Sequence, residues 1–227
     1  MGQVVVAVIP ARAGSRGIPG KNRRKVAGKP LWEWSLAAAQ ESTRVNWTLV
    51  TSDDSVILAV AAARHVPAIM RPPHLATDEA TLDAAILHAL DAADIADEAL
   101  VVTLQPTVPK RAAGLVDQCV ATFEFFPVAK ALVTVNSLHF VWDQGGQLLN
   151  GPRSNRQDLD RRLYHEDGAV FVCRAGAMRA SGTRVMDPVI LLETPRTVDV
   201  DTEEDLHLAE FLLARSPNVA KKPHHLT

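Results

Sequence analysis

The sequence predicts an α/β protein built on a doubly wound, mostly parallel sheet. Three observations lead there. Continuous apolar, β-branched runs at residues 4–9, 99–104 and 130–135 read as strands buried on both faces. Stretches with helical spacing of apolar residues separate them, giving a β-α-β-α-β-α-β alternation. Polar and basic residues follow the strands, and open parallel sheets bind ligands at the carboxyl ends of their strands.

The elements follow in order. Residues 4–9 open the sheet, and a Gly/Pro/basic stretch occupies 10–29. A helix is expected over 30–42, with Pro30 in its first turn, where a missing N–H costs nothing. Residues 47–51 read as the second strand and 54–65 as the second helix. Thr77 offers a cap, and Asp78 and Glu79 an acidic first turn, for a helix running to about residue 93. The strand at 99–104 ends in Gln105-Pro106-Thr107, and a helix over 113–125 leads to the strand at 130–135. The pattern changes after Ser137. Residues 139–142 and 147–149, joined around Gly145-Gly146, read as a hairpin inserted over 137–152. Strand character returns at 168–174 and 189–192. The closing helix, 202–215, begins with the Thr202 and Asp205 spacing of a capping box. Its stripe of Leu206, Ala209, Leu212 and Leu213 is expected to dock on the sheet. One domain over 1–220, with a polar, flexible tail at 221–227, accounts for the chain.

Composition bounds the function. The 227 residues are 47% hydrophobic and 22% charged, with a net charge of −2. That is an ordinary globular balance, and it excludes nucleic-acid binding through bulk positive charge. No apolar run approaches the roughly 20 residues of a membrane span. Met1-Gly2-Gln3 before the first apolar run lacks a basic leader, so a signal peptide is not expected and the protein reads as cytoplasmic. Cys119 and Cys173 lie in apolar segments and read as buried reduced thiols. The eight histidines show no HxH or HxxxH pairing, which disfavours a His-ligated metal. His165 is the one of interest, with an exposed loop histidine as its default reading.

The chemistry concentrates in the run Arg12-Ala13-Gly14-Ser15-Arg16-Gly17-Ile18-Pro19-Gly20-Lys21-Asn22. Seven cations (Arg12, Arg16, Lys21, Arg23, Arg24, Lys25 and Lys29) precede Glu33, the first acidic residue. Such local repulsion calls for an anion. Gly14, Gly17 and Gly20 permit positive φ and close backbone approach, so amides can face phosphates. Lys21 supplies a point charge, and Arg12 or Arg16 a forked donor. A solvated basic loop, or an arm for nucleic acid, is the bland alternative. The run lacks GxGxxG, and Ala13-x-Ser15-x-Gly17 is only a near miss to a nucleophile elbow.

A second constellation is Asp199-x-Asp201. In an extended chain, residues i and i+2 share a face, so both carboxylates can meet one hard cation. An aspartate cap on the following helix is the alternative for Asp201. At Thr51-Ser52-Asp53-Asp54, helix capping by Asp53 or Asp54 stands beside catalysis. Arg156-Gln157-Asp158-Leu159 and Tyr164-His165-Glu166-Asp167-Gly168 sit before a buried strand, where a second substrate would be held.

The run from Ile9 to Asn22 resembles the opening of the CMP-N-acylneuraminate synthetase family of cytidylyltransferases almost position by position. The likeness continues, in order, through Ala27-Gly28-Lys29-Pro30-Leu31, Thr51-Ser52-Asp53-Asp54, Arg71-Pro72, Leu75-Ala76-Thr77-Asp78 and Leu104-Gln105-Pro106-Thr107. It ends in Arg156-Gln157-Asp158-Leu159, Asp167-Gly168-Ala169 and Val198-Asp199-Val200-Asp201-Thr202. The resemblance implies a nucleotide-diphospho-sugar-transferase-like fold, CTP as donor, Mg²⁺, a small anionic acceptor, and a homodimer joined through the hairpin. It further implies that Arg12, Ala13, Gly14, Ser15 and Lys21 hold the triphosphate, and that Asn22, Arg71 and Ala80 line the cytidine pocket. Asp199 and Asp201 would bind the metal, with Lys21, Arg12 and Asp201 catalytic. Gln105, Arg156, Gln157 and Tyr164 would face the acceptor.

Four departures are visible. Leu138-His139-Phe140-Val141-Trp142 lacks the lysine of the family's His-Pro-x-Lys segment, and the hairpin is short. Asp167 replaces a usual Asn, and Leu82 a frequent Ser. The donor half is kept and the acceptor half drifts. That drift speaks for a small phosphonate, but Arg156-Gln157-Asp158-Leu159 and the Tyr164–Gly168 block still resemble the ulosonic acid enzymes, so the expected acceptor is a sialic-acid-like ulosonic acid, with the phosphonate as the alternative. Arg153, Arg156, Arg161, Arg162, Lys110 and Arg111 are the candidate cations for a phosphonate. A non-catalytic nucleotide-binding regulator on the same fold is the reading from another class.

Overall fold

The computed structural model describes residues 3–15 and 17–215. Arg16 and the tail expected at 221–227 lie outside them. β1 (Val5–Pro10) is buried at every position, which is why it is apolar throughout. β2 (Lys25–Val26) and β3 (Lys29–Pro30) pair antiparallel across Ala27-Gly28, both at positive φ, the backbone of a tight hairpin turn. Then come α1 (Leu31–Glu41), β4 (Trp47–Ser52), α2 (Ser55–Ala63), β5 (Ala68–Met70), α3 (Leu82–Ala92) and β6 (Leu100–Thr103). The second half holds α4 (Leu115–Phe125), β7 (Ala131–Leu138), β8 (Leu163–Arg174), α5 (Ala175–Ser181), β9 (Val189–Glu193) and α6 (Glu203–Ala214).

The main sheet runs β5-β4-β1-β6-β8-β7-β9. β5, β4, β1 and β6 are parallel neighbours; β8 is antiparallel to both β6 and β7, and β9 is parallel to β7. Only β8 therefore runs against the rest. Its first residues lie at the edge where the other strands end, so the sequence motifs after β1, β4, β5, β6, β7 and β9 converge there.

Alternate residues of β1 face two cores. Val5, Ala7 and Ile9 meet α1, α2 and α4 through Trp32, Leu36, Ile57, Cys119 and Phe123. Val6 and Val8 meet α3 and α5 through Ile86, Leu90 and Met178. Helices thus cover both faces, as a parallel sheet of apolar strands requires. Both cysteines are buried and free, and burial pushes both thiols up to about 12. No helix among the described residues is long and apolar enough to cross a membrane.

Several expectations need correction. The third helix begins at Leu82, capped by Thr81, whose hydroxyl accepts from Ala84 N–H; Thr77 lies in a turn upstream. The inserted hairpin is present as expected but short: one antiparallel bridge, Trp142 to Leu148, flanked by Leu149 N–H to the Val141 carbonyl and Asp143 N–H to the Gln147 carbonyl. β7 and β8 extend to Leu138 and back to Leu163, so Tyr164, His165 and Glu166 are strand residues. α6 does not dock on the main sheet. Its Leu206, Ala209 and Leu213 close a separate small core with Ile18, Val26, Leu31, Val198 and Val200. β2, β3, β5 and α5 were not expected, being too short to show a period.

Candidate active site

The loop after β1 is built by its neighbours. Ser52, at the end of β4, donates from Oγ to the Ala11 carbonyl at 2.5 Å, and Asp53 Oδ1 accepts from Ala13 N–H at 2.7 Å. Asp54 takes the capping role, accepting from Val56 and Ile57 N–H at the head of α2. Asn22 Nδ2 donates to the Arg12 carbonyl at 2.8 Å, which fixes its amide orientation and leaves Oδ1 buried without a partner. Gly20 alone of the loop's three glycines adopts positive φ, at 63°. Gly17 is needed for another reason: a Cβ there would collide with the Asp201 carbonyl oxygen. Ser15 is half-buried, Gly14 is exposed, and Ala80 N–H donates to Thr77 Oγ1 at 3.2 Å.

The loop's cations are largely matched within the chain. Arg12 bonds the Thr77 carbonyl and pairs with Asp78 at 2.7 Å, Arg23 pairs with Asp54, and Arg24 with Glu203. Lys29 lies over the Trp34 ring. Internal carboxylates thus relieve the repulsion noted in the sequence without any ligand. Arg71, at the end of β5, is buried, donates to the Thr51 carbonyl at 3.2 Å and leaves Nε without a partner. Burial lowers its pKa; Asp53 counters this and Arg12 reinforces it, which puts all three side chains in one electrostatic neighbourhood.

Lys21 joins this loop to the Asp199–Asp201 segment. It is 8% exposed; Nζ donates to the Val200 carbonyl at 2.7 Å and to Asp201 Oδ1 at 3.0 Å. The segment is extended but unpaired, pinned by Val200 N–H to the Thr107 carbonyl at 2.8 Å. Val198 and Val200 point inward while Asp199 and Asp201 point out, which is the expected alternation. Asp199 touches water, yet the protein around it removes enough solvent to raise its pKa. Asp201 adds to that rise by repulsion, while Thr107 and Lys21 oppose it. The Thr107 hydroxyl is near enough to act on Asp199 electrostatically but makes no geometric hydrogen bond. Asp201 is no helix cap. Thr202 fills that position, with Asp205 completing the capping box.

On the far side, Gln105 follows β6, and its Oε1 would lie 3.4 Å from a Cβ placed on Gly168, which has φ of 71°. Arg111, a candidate cation for the acceptor, is instead turned inward. It donates to the Ala169 and Gln105 carbonyls and to Ser35 Oγ. Asp167 is buried and satisfied by Thr134 Oγ1, Ala169 N–H and Thr194 Oγ1. Arg156 and Gln157 form an exposed single turn, and Tyr164 is exposed on β8; none of them contacts the loop after β1 through a hydrogen bond. Fully buried Asn150 closes the insertion, bonding the Leu138 and Arg161 carbonyls and Val141 N–H. Nothing in the sequence marks Asn150 for that role. A cleft of about 780 Å³ between α1 and α4 includes Lys29, Lys110 and Arg111 but none of Arg12, Lys21 or Asp199.

Comparison with known proteins agrees with this frame. The family model described as Cytidylyltransferase matches residues 6–124. The chain is 30% identical over 228 residues to CMP-N,N′-diacetyllegionaminic acid synthase of Legionella pneumophila, covering 92% of this chain and 96% of that protein. It is 29% identical over 178 residues to N-acylneuraminate cytidylyltransferase of Escherichia coli O18:K1:H7, covering 74% of this chain and 42% of that one. The solved structure of CMP:2-keto-3-deoxy-manno-octonic acid synthetase complexed with CTP superposes with a TM-score of 0.72 at 18% identity. The match covers 93% of this chain and 99% of that one. The family match and the shared fold make this chain a member of the cytidylyltransferase family, a nucleotidyltransferase enzyme.

Proposed function

We propose that the enzyme transfers CMP from CTP to a sialic-acid-like nonulosonic acid and releases pyrophosphate. The observation that carries the reading is the meeting of Lys21 with the Asp199/Asp201 pair, under the closed Gly17 contact. Triphosphate and acceptor would come together there. Lys21 and Arg12 would leave their internal carboxylate partners and offset charge on the departing pyrophosphate. Such transfers need positioning and charge neutralisation more than covalent help.

The base pocket supports CTP. Asn22 Oδ1 and Arg71 Nε are buried and unpartnered, an acceptor and a donor left for a ligand. Cytosine offers the complement, an amine donor at N4 and acceptors at N3 and O2. Uracil reverses the first of these, so Asn22 Oδ1 would face another oxygen. Ala80 would complete the pocket wall.

The donor set fits Mg²⁺. Two carboxylates on one face, one of them under-solvated and repelled by the other, are the protein share that Mg²⁺ takes before water and phosphate oxygens. Asp199 and Asp201 would hold it. When bound, the ion supplies charge stabilisation at the phosphate and orients the attacking oxygen.

Gln105, Tyr164, Arg156 and Gln157 would contact the acceptor. The legionaminic acid relative, matched over nearly its whole length, supports the sugar acid. A phosphonate acceptor is the second reading. It is favoured by Arg156, Arg161 and Arg162, exposed arginines with no ion pair among the described residues. The deciding experiment offers Mg·CTP or Mg·UTP with sialic, legionaminic and pseudaminic acids beside a simple phosphonate, and follows pyrophosphate. CTP with a sugar acid should lead. A preference of about 100-fold for the phosphonate, about 2.7 kcal/mol, would reverse the order of acceptors.

A further inference from the structure

Arg111 is a buried cation that the mechanism above leaves unused. Its Nη2 donates to the Gln105 carbonyl at 2.7 Å, its Nε to the Ala169 carbonyl at 2.8 Å and its Nη1 to Ser35 Oγ at 3.1 Å. Ser35 Oγ donates in turn to the Gln105 carbonyl at 3.2 Å, and Val108 N–H donates to the same oxygen at 3.2 Å. The segment after β6, the middle of β8 and α1 are thus tied through one guanidinium. Burial draws its pKa down to about 10, with Asp167 pulling the other way, so it stays charged at neutral pH. Desolvating a guanidinium to satisfy two carbonyls and a hydroxyl is a poor route to stability, because apolar packing would do as well. What the fork adds over apolar packing is a fixed angle between the strands. Gln105 and Gly168 lie where those strands meet, with the Gln105 amide against the positive-φ glycine.

We propose that Arg111 is a positioning residue for the acceptor. It fixes the Gln105 backbone against Gly168-Ala169 and so aims the Gln105 side chain, without touching the acceptor itself. The inference rests on the acceptor role given to Gln105 above.

The test is a double-mutant cycle of Arg111→Lys and Gln105→Ala, followed by pyrophosphate release with Mg·CTP and N,N′-diacetyllegionaminic acid. Arg111→Lys keeps the charge and loses the fork. It should raise the acceptor KM at least tenfold while the CTP KM stays within twofold. On the Gln105→Ala background it should add less than twofold, because the group it aims is gone. An additive loss, or an equal rise in both KM values, is what a merely structural tie would give, and it would overturn the proposal. If thermal unfolding shows that Arg111→Lys does not fold, Ser35→Ala removes a single strut instead. A threefold or greater rise in acceptor KM alone then supports the proposal, and no change overturns it. A wild-type enzyme that releases no pyrophosphate with the sugar acid overturns the function and this inference together. A wild-type enzyme that turns over, with additive variants, overturns this inference alone.

Discussion

Asp199 is held at a cost to folding. Lost solvation and the Asp201 charge raise its pKa above the ordinary value, and Thr107 and Lys21 only partly offset them. A raised folded-state pKa means that the folded chain holds the proton more tightly than the unfolded one. The stability this gives is present below the unfolded pKa and is lost as pH rises through the folded one. Asp199→Asn should therefore raise the thermal midpoint at pH 7 and lose that advantage near pH 3, while turnover falls by several powers of ten. Calorimetry at the two pH values checks the first part, and an Asn variant less stable than wild type at pH 7 would refute it. Lys21→Ala should act on the donor: one charge-assisted contact, about 1.5–3 kcal/mol, predicts a rise of roughly 10- to 150-fold in CTP KM with little change for the acceptor. Wild-type CTP kinetics in that variant would return the loop to a solvated basic segment. At this scale the gathering of Arg12, Asn22, Lys21 and Asp201 was legible, because a cluster of cations and glycines after a buried strand has few uses; their roles toward the donor are proposals. Arg111 was misread, since an arginine in a polar stretch gives no sign of facing inward.

Thr77 and Thr81 show how one element's boundary is decided by another. Both are capping residues ahead of an apolar run, and the acidic Asp78-Glu79 pair made Thr77 the sequence's choice. Arg12 draws the Thr77 carbonyl and Asp78 toward the loop after β1, which keeps that segment in a turn and passes the cap to Thr81. α6 teaches a similar lesson. Its capping box and apolar stripe were readable, but periodicity says which face is apolar and not what it meets. It meets Ile18 in the loop after β1 and Val198 and Val200 beside the carboxylates, so it clamps the two halves of the site together. Leu206→Ala should cost about 2–5 kcal/mol, as a large-to-small change in a closed core does. It should also lower kcat with no direct contact to either substrate. A Leu206→Ala enzyme with lowered stability but wild-type kcat would show that the clamp serves folding only. Asp117 ties α4 to the end of α1 through Ser42, Thr43 and Arg44. Burial raises its pKa, but these hydrogen bonds outweigh that and leave it lowered. Its contribution is thus present above the unfolded pKa and lost as pH falls through the folded one. Asp117→Ala should destabilise at pH 7 and converge with wild type in acid, as paired thermal melts would show.

For the molecule as a whole, the expectation is a homodimer formed through the insertion after β7. Trp142 is 54% exposed and Leu149 37%, on a loop held by buried Asn150 and left open by the described residues. An apolar tip of that kind suits a self-complementary interface. Light scattering should give twice the chain mass at micromolar concentration and the single mass for Trp142→Glu; a monomeric wild type would rule this surface out. The sequence by itself determined the alternation of strands and helices, the buried central strands and the family's motif blocks, because these depend on local period and on residue chemistry. It could not determine that β8 runs against its neighbours, that the basic loop is neutralised from within, or that α6 seals the loop to the carboxylates. Each of those depends on which distant segments share a core or an ion pair, and only the closed tertiary structure decides that, because contacts between distant residues leave no period in the chain.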